Sequence, residues 1–386
     1  METPRSGPES SDPNNPKDTE TESPSFWKAL GEGLMNTAVL AGQGIKTAYQ
    51  AGDENKHFIM PAINGIVGHR LARFEHPSAI RMSFRLQEQD RTVDDIVQDL
   101  KPNSVVLVFV HGLMADEIPW QTAMPEKQGY GPVLESRTEA RCLYIRYNTG
   151  RHISENGQDL DRLLSELVKK GGHRIGRMIL VGHSMGGLVV RSAGHYGQKR
   201  KGKWIGHLSD VVLLGVPNDG SFLERFGHIA TFVLKNVWNY PTQIVGRIAD
   251  ERSDGIKDLR WGFMAEDWKR EDADKLMNVK RTEVLPVPGV RYHLLLGSMS
   301  ESVISPLATY FGDGLVGTRS ALGKEFVEFT EQAEKRGNHK SLLGRIFSAK
   351  KPATIQYQAF MTTGHLGLLG SPEVCQYLIA LVAGRK

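Results

Sequence analysis

A serine on a glycine-flanked turn is the side chain of this sequence best placed for nucleophilic chemistry. The motif Gly-His-Ser-Met-Gly at 182–186 follows the strand-like run 178–181 and precedes the helix-like run 188–196. A sharp turn from a strand into a helix holds such a serine in a strained conformation that projects its oxygen above the sheet, and flanking glycines relieve the crowding. The motif therefore predicts that Ser184 attacks acyl carbonyl carbons. The alternative is a glycine-rich turn with an incidental serine.

Acyl transfer also requires hydrogen-bond donors for the oxyanion that forms on the attacked carbonyl. The residue after the nucleophile provides one backbone N–H group, and a loop at the end of an earlier strand provides the second. Met185 is the first of these donors. The strand-like run 104–110 continues into His-Gly-Leu at 111–113, so the N–H group of Leu113 is the second. An ordinary strand-end turn is the alternative for this loop.

The general base must be one of thirteen histidines. When the nucleophile sits on such a turn, the catalytic residues follow the chain order serine, acid, histidine. Three histidines lie far enough along the chain, namely His293, His339 and His365. His293 lies within a strand-like run and His339 in a basic loop, whereas His365 just follows the strand-like run 355–360. We therefore predict that His365 is the base, with a capping or core histidine as the alternative, and that His183 anchors the turn.

The third member must be a carboxylate at the end of a strand, between the serine and the histidine in the chain. Asp313, in the segment Gly-Asp-Gly-Leu-Val at 312–316, follows the strand-like run 292–296 and is the preferred candidate. Asp219 follows the preceding strand-like run, 211–216, and is the alternative acid. An aspartate in an ordinary turn is the other interpretation of both positions.

Strand-like and helix-like segments alternate after residue 100, which predicts an α/β fold with a mostly parallel central sheet flanked by helices. Runs that stay apolar without alternation are typical of strands buried on both faces. The predicted strands are 104–110, 142–147, 178–181, 211–216, 292–296 and 355–360, and the predicted helices are 153–170, 188–196, 325–335 and 372–382.

An insertion of about residues 221–287 interrupts this alternation directly after the strand-like run 211–216. Its first half carries apolar residues whose spacing places a broad apolar face on one helix. These residues are Phe222, Leu223, Phe226, Ile229, Phe232, Val233, Val237 and Trp238. We expect a helical lid at the pocket mouth that favours long-chain or aggregated substrates, and a helix packed permanently on the core is the alternative.

The residues before the sheet divide into parts of different composition. Residues 1–25 carry six acidic and two basic side chains and five prolines, so we predict a disordered N-terminal tail. Residues 26–75 contain two helix-like stretches, 26–50 and 58–74, which predict a helical extension. This extension either packs on the catalytic domain or meets a membrane surface. Residues 76–386 are then the catalytic domain with its lid insertion.

The composition argues against several classes of function. The formal net charge is +4, and the basic residues form no stripe interleaved with aromatic residues, so nucleic acid is not an expected partner. Cys142 and Cys375 are the two cysteines and lie in apolar runs, where we expect buried free thiols. No metal-binding motif such as His-Glu-x-x-His occurs, so we expect neither a metal nor another cofactor.

The same reasoning gives an expected location. Residues 1–25 lack the apolar core of a secretory signal, and no apolar run is long enough to span a membrane. We therefore expect a cytoplasmic protein. Peripheral membrane contact through the N-terminal helices or the lid stays open.

Together these motifs resemble a known family. The segments that carry the likeness are His-Gly-Leu at 111–113, Gly-His-Ser-Met-Gly-Gly at 182–187, Gly-Val-Pro-Asn-Asp-Gly-Ser at 215–221, Asp-Gly-Leu-Val at 313–316, and His365. They are similar to those of the bacterial lipase and GPI inositol-deacylase-like branch of the α/β-hydrolase superfamily, over roughly residues 100–380. Family members often carry a histidine soon after the proline of the third segment, where this chain has Asn218 and Asp219. The resemblance implies a serine esterase or lipase.

The sequence therefore predicts a hydrolase of carboxylic esters, with a lipid-like ester as substrate and an acyl-enzyme as intermediate. An acyltransferase or thioesterase with the same triad differs only in the acceptor that enters the pocket, so both stay open. A non-catalytic, membrane-associated binding protein would account for the N-terminal extension without using the triad. The sequence does not predict an oligomeric state.

Overall fold

The structure is a computed structural model, and it describes residues 59–218, 253–270, 281–297, 352–360 and 363–384. The chain divides into a unit of residues 1–56 and a unit of residues 57–386, and every described residue belongs to the second. The predicted tail 1–25, the helix-like stretch 26–50 and the predicted helix 325–335 lie outside the described residues. So do residues 219–252, which hold the apolar face of the expected lid.

A sheet of eight strands forms the centre of this unit. The strands are β1 Ser83–Leu86, β2 Gln89–Arg91, β3 Ser104–Val110, β4 Ala140–Arg146, β5 Ile175–His183, β6 Leu208–Leu214, β7 Arg291–Gly297 and β8 Thr354–Phe360. Their order across the sheet is β2-β1-β4-β3-β5-β6-β7-β8. Strand β1 pairs antiparallel with β2 and β4, and the other neighbouring pairs of described strands are parallel. The prediction of a mostly parallel sheet is confirmed.

Helices connect the strands and cover the sheet. The α-helices are α1 Ile59–Arg73, α2 Val93–Asp99, α3 Pro119–Thr122, α4 Tyr130–Arg137, α5 Ile153–Gly171, α6 Met185–Lys199, α7 Asp254–Trp261 and α8 Pro372–Val382. Short 3-10 helices span Pro125–Lys127, Gly172–Arg174, Lys203–Gly206, Glu266–Lys269 and Gly367–Leu369.

Both faces of the sheet are buried, because successive residues of a strand point to opposite faces. In β3, Val106, Val108 and Val110 belong to the apolar core of one face, whereas Leu107 and Phe109 belong to the core of the other. Helices α5 and α6 pack on the first face, and α4 and α8 pack on the second. A strand covered on both sides needs apolar residues at every position, which explains the lack of alternation in β3.

The observed elements differ from the predicted ones in an instructive way. The predicted strand 104–110 and helix 372–382 coincide with β3 and α8. The predicted strand 211–216 is wrong at its end, because β6 stops at Leu214 and Gly215 leaves the sheet with a φ of +57°. The antiparallel edge β1–β2 and the helices α2 and α4 have no counterpart among the predicted elements.

Helix α1 is fastened to the sheet-bearing unit by buried amide side chains. Nδ2 of Asn64 donates to the carbonyl of Ser78 at 3.0 Å, and Oδ1 accepts from the N–H of Ile80 at 2.9 Å. Nδ2 of Asn148 donates to the carbonyl of Gly68 in α1 at 2.8 Å. Helix α1 therefore packs beside the segment that joins β4 to α5.

Helix α7 brings the chain back from the insertion to the same place. Ser253 caps its N-terminus, and the Ser253 hydroxyl donates to the carbonyl of Gly65 in α1 at 2.7 Å. Asp258 accepts from the N–H of Ile153 at 2.8 Å and from Nδ1 of His152 at 3.0 Å. These bonds fix α7 against α1 and the start of α5.

Cys142 and Cys375 are buried free cysteines, as expected. Within the described ranges, no helix has the length and apolar character needed to cross a bilayer. The same residues contain no group of three or more His, Cys, Asp or Glu side chains that could hold a metal ion.

Candidate active site

Ser184 lies between β5 and α6 in the strained conformation that its motif predicts. Its φ of 51° and ψ of −125° belong to a sparsely populated region for a residue with a Cβ atom, so neighbouring groups must hold it there. The N–H of Ser184 donates to the carbonyl of Leu214 at 2.9 Å, and its carbonyl accepts from the N–H of Gly187 at 3.0 Å. Ser184 is 4% exposed, so the residue as a whole is buried.

The glycines beside Ser184 allow the start of α6 to approach the end of β3. A Cβ atom on Gly186 would lie 2.3 Å from the carbonyl oxygens of Val110 and His111. A Cβ atom on Gly182 would lie 2.5 Å from the Cα atom of Gly187. Since larger residues would push these backbones apart, the turn and the loop after β3 meet only because both positions are glycine.

The loop after β3 lies directly against Ser184. A Cβ atom on Gly112 would lie 3.2 Å from Cβ of Ser184. Leu113 is 5% exposed, and its N–H has no hydrogen-bond acceptor among the described residues. Met185 is the first residue of α6, where an N–H group has no acceptor within the helix. The two predicted oxyanion donors therefore flank Ser184, each with an N–H group left unused by the neighbouring helix or loop.

His111 fixes the end of β3. Its Nδ1 donates to the carbonyl of Gly112 at 2.9 Å, and its carbonyl accepts from the hydroxyl of Tyr147 at 2.8 Å. The two rings stack with centroids 4.4 Å apart. Burial lowers the pKa of His111, so its imidazole stays neutral. This residue supports the loop that carries Leu113.

The loop after β8 crosses the end of β7 and brings His365 to the end of β6. A Cβ atom on Gly297, the last residue of β7, would lie 2.4 Å from the carbonyl oxygen of Thr363. A Cβ atom on Gly215, directly after β6, would lie 2.9 Å from Nδ1 of His365. Since the N–H of Ser184 bonds the last carbonyl of β6, the structure brings Ser184 and His365 to the same strand end.

A tyrosine fastens the turn that follows His365. The hydroxyl of Tyr130 in α4 donates to the carbonyl of Leu368 at 2.5 Å and accepts from the N–H of Ser371 at 3.0 Å. Burial raises the pKa of Tyr130 well above its ordinary value, so the hydroxyl keeps its proton. Ser371 in turn caps α8, and the loop of His365 is therefore anchored to a helix on either side.

His183 connects the nucleophile turn to the loop of His365, a contact that the sequence did not predict. Its Nε2 donates to the carbonyl of His365 at 3.1 Å, and the two imidazole centroids lie 4.7 Å apart. Burial lowers the pKa of His183 to about 4, although the bond to the carbonyl opposes this shift. The ring is therefore neutral with its proton on Nε2. The sequence motif shows that a histidine precedes Ser184, but it does not show which part of the chain this histidine contacts.

The two candidate acids, Asp313 and Asp219, lie outside the described residues. The strand that precedes each of them is described, and both β6 and β7 end beside the loop of His365. Asn218, one residue before Asp219, is buried, and its Oδ1 accepts from Nη1 of Arg191 in α6 at 2.9 Å. This bond holds the start of the segment that leaves β6.

His293, which the sequence argument set aside as the base, belongs to a buried network at the amino ends of β6 and β7. Its Nε2 lies 2.9 Å from Oδ1 of Asp210, and its Nδ1 lies 2.8 Å from the hydroxyl of Tyr377. Nε of Arg291 lies 2.7 Å from the same carboxylate. Although burial raises it, the pKa of Asp210 is held at about 2 by hydrogen bonds from His293, Arg291 and Ser209. The carboxylate is ionised and bound by these partners, near the end of β6 opposite to the one that contacts Ser184.

Three solved structures are similar to this chain at low identity. A lipase of Bacillus licheniformis in mature form is 17% identical with a TM-score of 0.38, and the match covers 74% of this chain and 95% of that one. A thermostable esterase from Pseudomonas putida is 13% identical with a TM-score of 0.40, over 74% of each chain. A Bacillus cereus carboxylesterase is 9% identical with a TM-score of 0.35, over 82% of this chain and 99% of that one. A search of curated protein sequences finds no match.

The sequence pattern of one family covers most of the region described above. It matches residues 107–375, from within β3 to the first turn of α8, and this span includes both Ser184 and His365. The strand order, the strained serine between β5 and α6 and the histidine loop after β8 agree with that match. The chain belongs to the Alpha/beta hydrolase family.

Proposed function

We propose that the protein is a serine hydrolase that cleaves carboxylic esters through an acyl-enzyme. Ser184 is the nucleophile, His365 is the general base, and the N–H groups of Leu113 and Met185 form the oxyanion hole. The observation that carries this proposal is the meeting of three distant segments at one strained serine. These segments are the loop after β3, the turn between β5 and α6, and the loop after β8.

The proposed reaction proceeds in two halves. His365 takes the proton of the Ser184 hydroxyl as its oxygen attacks the ester carbonyl carbon. The charge that develops on the carbonyl oxygen is stabilised by the N–H groups of Leu113 and Met185. The imidazolium then returns the proton to the departing alkoxide, and the alcohol leaves. In the second half, water gives a proton to His365 as it attacks the acyl carbon. The imidazolium then returns this proton to the Ser184 oxygen as the bond between that oxygen and the acyl carbon breaks, and the carboxylic acid leaves.

Asp313 is the proposed acid that orients the imidazole, and Asp219 is the alternative. Both follow strands whose ends lie against the loop of His365. Asp219 is retained as the alternative because Nδ1 of His365 lies beside Gly215 at the end of β6. A triad acid contacts this nitrogen of the imidazole. Asp219 follows Gly215 by only four positions. Substitution of each aspartate separates the two assignments.

A lipid-like ester is the proposed substrate class. In the sequence, the apolar helix pattern of residues 222–238 follows shortly after the end of β6, and that strand end contacts Ser184 and lies beside His365. The burial of Ser184 also favours a substrate with an apolar acyl group, because transfer of such a group out of water is favourable.

The decisive experiment combines covalent labelling with turnover. The full-length protein is treated with a fluorophosphonate probe, the labelled peptide is identified by mass spectrometry, and hydrolysis of p-nitrophenyl esters of graded chain length is measured. We expect label on Ser184, and loss of both label and turnover by several orders of magnitude in Ser184→Ala. Ser136→Ala is the matched control, since Ser136 is an exposed serine of α4 and its removal should change neither readout.

Each outcome of this experiment has a distinct meaning. Label on Ser184 with turnover that rises with acyl length supports the lipid-like substrate, whereas a preference for acetate limits the proposal to a short-chain esterase. Acyl-enzyme that accumulates until an alcohol or thiol is added would instead indicate a transferase. Absence of both label and turnover in the folded wild-type protein would overturn the proposed function in favour of a binding role.

A further inference from the structure

The loop that carries Leu113 is held in a conformation that its sequence does not favour. Met114 has a φ of 56°, in the left-handed region that side chains other than glycine, asparagine and aspartate rarely adopt. The N–H of Ala115 donates to the carbonyl of Gly112 at 3.3 Å, which closes the turn. Such a strained turn persists only where neighbouring groups fix it.

Thr149, in the segment between β4 and α5, supplies the missing support. Its hydroxyl oxygen accepts from the N–H of Met114 at 3.2 Å, and the residue is 1% exposed. We propose that Thr149 is a positioning residue that sets the oxyanion hole of the active site. The inference rests on the function proposed above, because it assigns a support to the N–H group of Leu113.

The hydrogen bonds of the loop determine where that N–H group points. A trans peptide places the carbonyl of one residue and the N–H of the next on opposite sides. The carbonyl of Gly112 is held by Nδ1 of His111 at 2.9 Å and by the N–H of Ala115, so the N–H of Leu113 points the other way. The Thr149 hydroxyl accepts from the N–H of Met114, in the next peptide of the loop, so this second N–H group is already hydrogen-bonded. One donor of this loop is therefore presented to a substrate oxygen.

Two glycines allow helices α1 and α7 to pack closely against Thr149. A Cβ atom on Gly65 of α1 would lie 3.2 Å from the Thr149 hydroxyl and 2.3 Å from Cγ of Met114. A Cβ atom on Gly255 of α7 would lie 2.1 Å from the Thr149 carbonyl oxygen and 3.0 Å from Cε of Met185. Helix α1 thus approaches Thr149 and Met114, and helix α7 approaches Thr149 and the side chain of Met185. Segments that precede Ser184 in the sequence and a helix that follows it therefore contact the residues of the proposed oxyanion hole.

The test compares esters with thionoesters, in which sulfur replaces the carbonyl oxygen. Sulfur is a weak hydrogen-bond acceptor, so a well-placed oxyanion hole favours the ester. Thr149→Val removes the acceptor while keeping the shape. We expect kcat for the ester to fall about tenfold with little change in KM, since complete loss of one oxyanion donor costs roughly 100-fold or more. The ratio of ester to thionoester kcat should fall by a similar factor.

Two further variants make the result specific. Thr149→Ser keeps the hydroxyl and should restore most of the wild-type ratio. Thr138→Val is the matched control, because the Thr138 hydroxyl also accepts a backbone N–H, that of Ala140, at 3.2 Å but at the start of β4. It should leave kcat and the ratio unchanged. Active-site titration with the fluorophosphonate probe normalises each value to functional enzyme.

The outcomes separate this inference from the proposed function. A wild-type protein that hydrolyses esters, together with a Thr149→Val variant whose ratio is unchanged, overturns the role of Thr149 and leaves the esterase standing. Failure of Thr149→Ser to restore the ratio also overturns it. If Thr149→Val does not fold, Thr149→Cys replaces it, because a thiol is a weaker hydrogen-bond acceptor than a hydroxyl. An unchanged ratio of ester to thionoester kcat in this variant would also contradict the role of Thr149. A wild type without turnover or label removes the proposed function and this inference together.

Discussion

Gly215 and His365 are in contact across two strand ends, so closely that a Cβ atom on Gly215 would lie 2.9 Å from Nδ1 of the imidazole. His365 follows β8, whereas Gly215 follows β6, and β7 lies between these two strands in the sheet. The histidine loop therefore reaches across a whole strand. The position of His365, the proposed base, depends on the absence of a side chain at residue 215.

Gly215→Ala tests this dependence. The added methyl group must displace the imidazole, so we expect kcat for ester hydrolysis to fall by roughly 100-fold, in line with the cost of small misplacements at a catalytic group. The φ of +57° adds a stability loss of about 1 kcal/mol for alanine. Gly172→Ala is the matched control, because Gly172 has a φ of +51° and open space around it. Equal activity loss in both variants would show that strain, not contact with His365, is responsible.

His183 should act on catalysis through His365 and not through its own charge. His183→Ala removes the donor to the His365 carbonyl and should lower kcat about tenfold, while His183→Gln, which retains an N–H donor at a similar reach, should recover part of the loss. Burial lowers the pKa of His183 to about 4, so the ring is neutral above that pH. The pH dependence of kcat/KM between pH 5 and 9 should keep its shape in His183→Gln. A displaced acidic limb would assign a titrating role to His183.

The ranking of the two candidate acids can be read from asparagine variants. Asp313→Asn should lower kcat far more than Asp219→Asn, because an asparagine partner favours the wrong imidazole tautomer and costs up to about 10⁴-fold in a serine triad. Steady-state hydrolysis of a p-nitrophenyl ester by the two purified variants gives the ranking. The reverse order would move the role to Asp219 and to the end of β6, where Nδ1 of His365 lies.

The network around Asp210 should make stability depend on acid pH. The pKa of Asp210 in the folded protein is about 2, below its unfolded value of about 3.9. The ionised carboxylate therefore stabilises the fold above about pH 4, and this contribution is lost as the pH falls towards 2. Asp210→Asn should lower the free energy of unfolding at pH 7 by on the order of 2 kcal/mol, with a smaller difference near pH 3.

Urea unfolding at the two pH values measures this difference. Asp94→Asn is the control, because Asp94 pairs with Lys170 at 2.8 Å but its side chain is 64% exposed. Such a surface pair contributes little, about 0–1 kcal/mol. A loss in Asp210→Asn that is as large at pH 3 as at pH 7 would mean that shape, and not ionisation, governs the effect.

The parts of the fold that the sequence predicts are those with a strong local signal. Strand β3 is apolar at nearly every position, because it is covered on both faces, and its limits follow directly. Strands β1 and β2 span only 4 and 3 residues, Ser-Phe-Arg-Leu and Gln-Asp-Arg. Strand β1 alternates polar and apolar residues over only these four positions, with Phe84 in the core, and β2 contains no apolar residue, so neither gives a signal long enough to predict a strand. Their existence depends on β4, which lies more than fifty positions further along the chain.

The site shows the same division. The turn around Ser184 has a local motif, and the order of chain elements then selects His365. The contacts that support them lack such a signal. The bond from His183 to the His365 carbonyl joins residues 182 positions apart, and the bond from Met114 to Thr149 joins residues 35 positions apart. Only the folded chain shows that these pairs meet.

The bond between Tyr130 and Leu368 joins residues 238 positions apart, which bears on the order in which a growing chain acquires activity. During synthesis, the segment with Ser184 and its proposed oxyanion donors emerges well before the loop of His365. A nascent chain can then hold the folded turn of Ser184 without His365, its proposed base. The hydroxyl of Tyr130 can form its hydrogen bonds with Leu368 and Ser371 only after residues 363–371 have emerged from the ribosome. We therefore expect the proposed esterase activity to arise only at this late step.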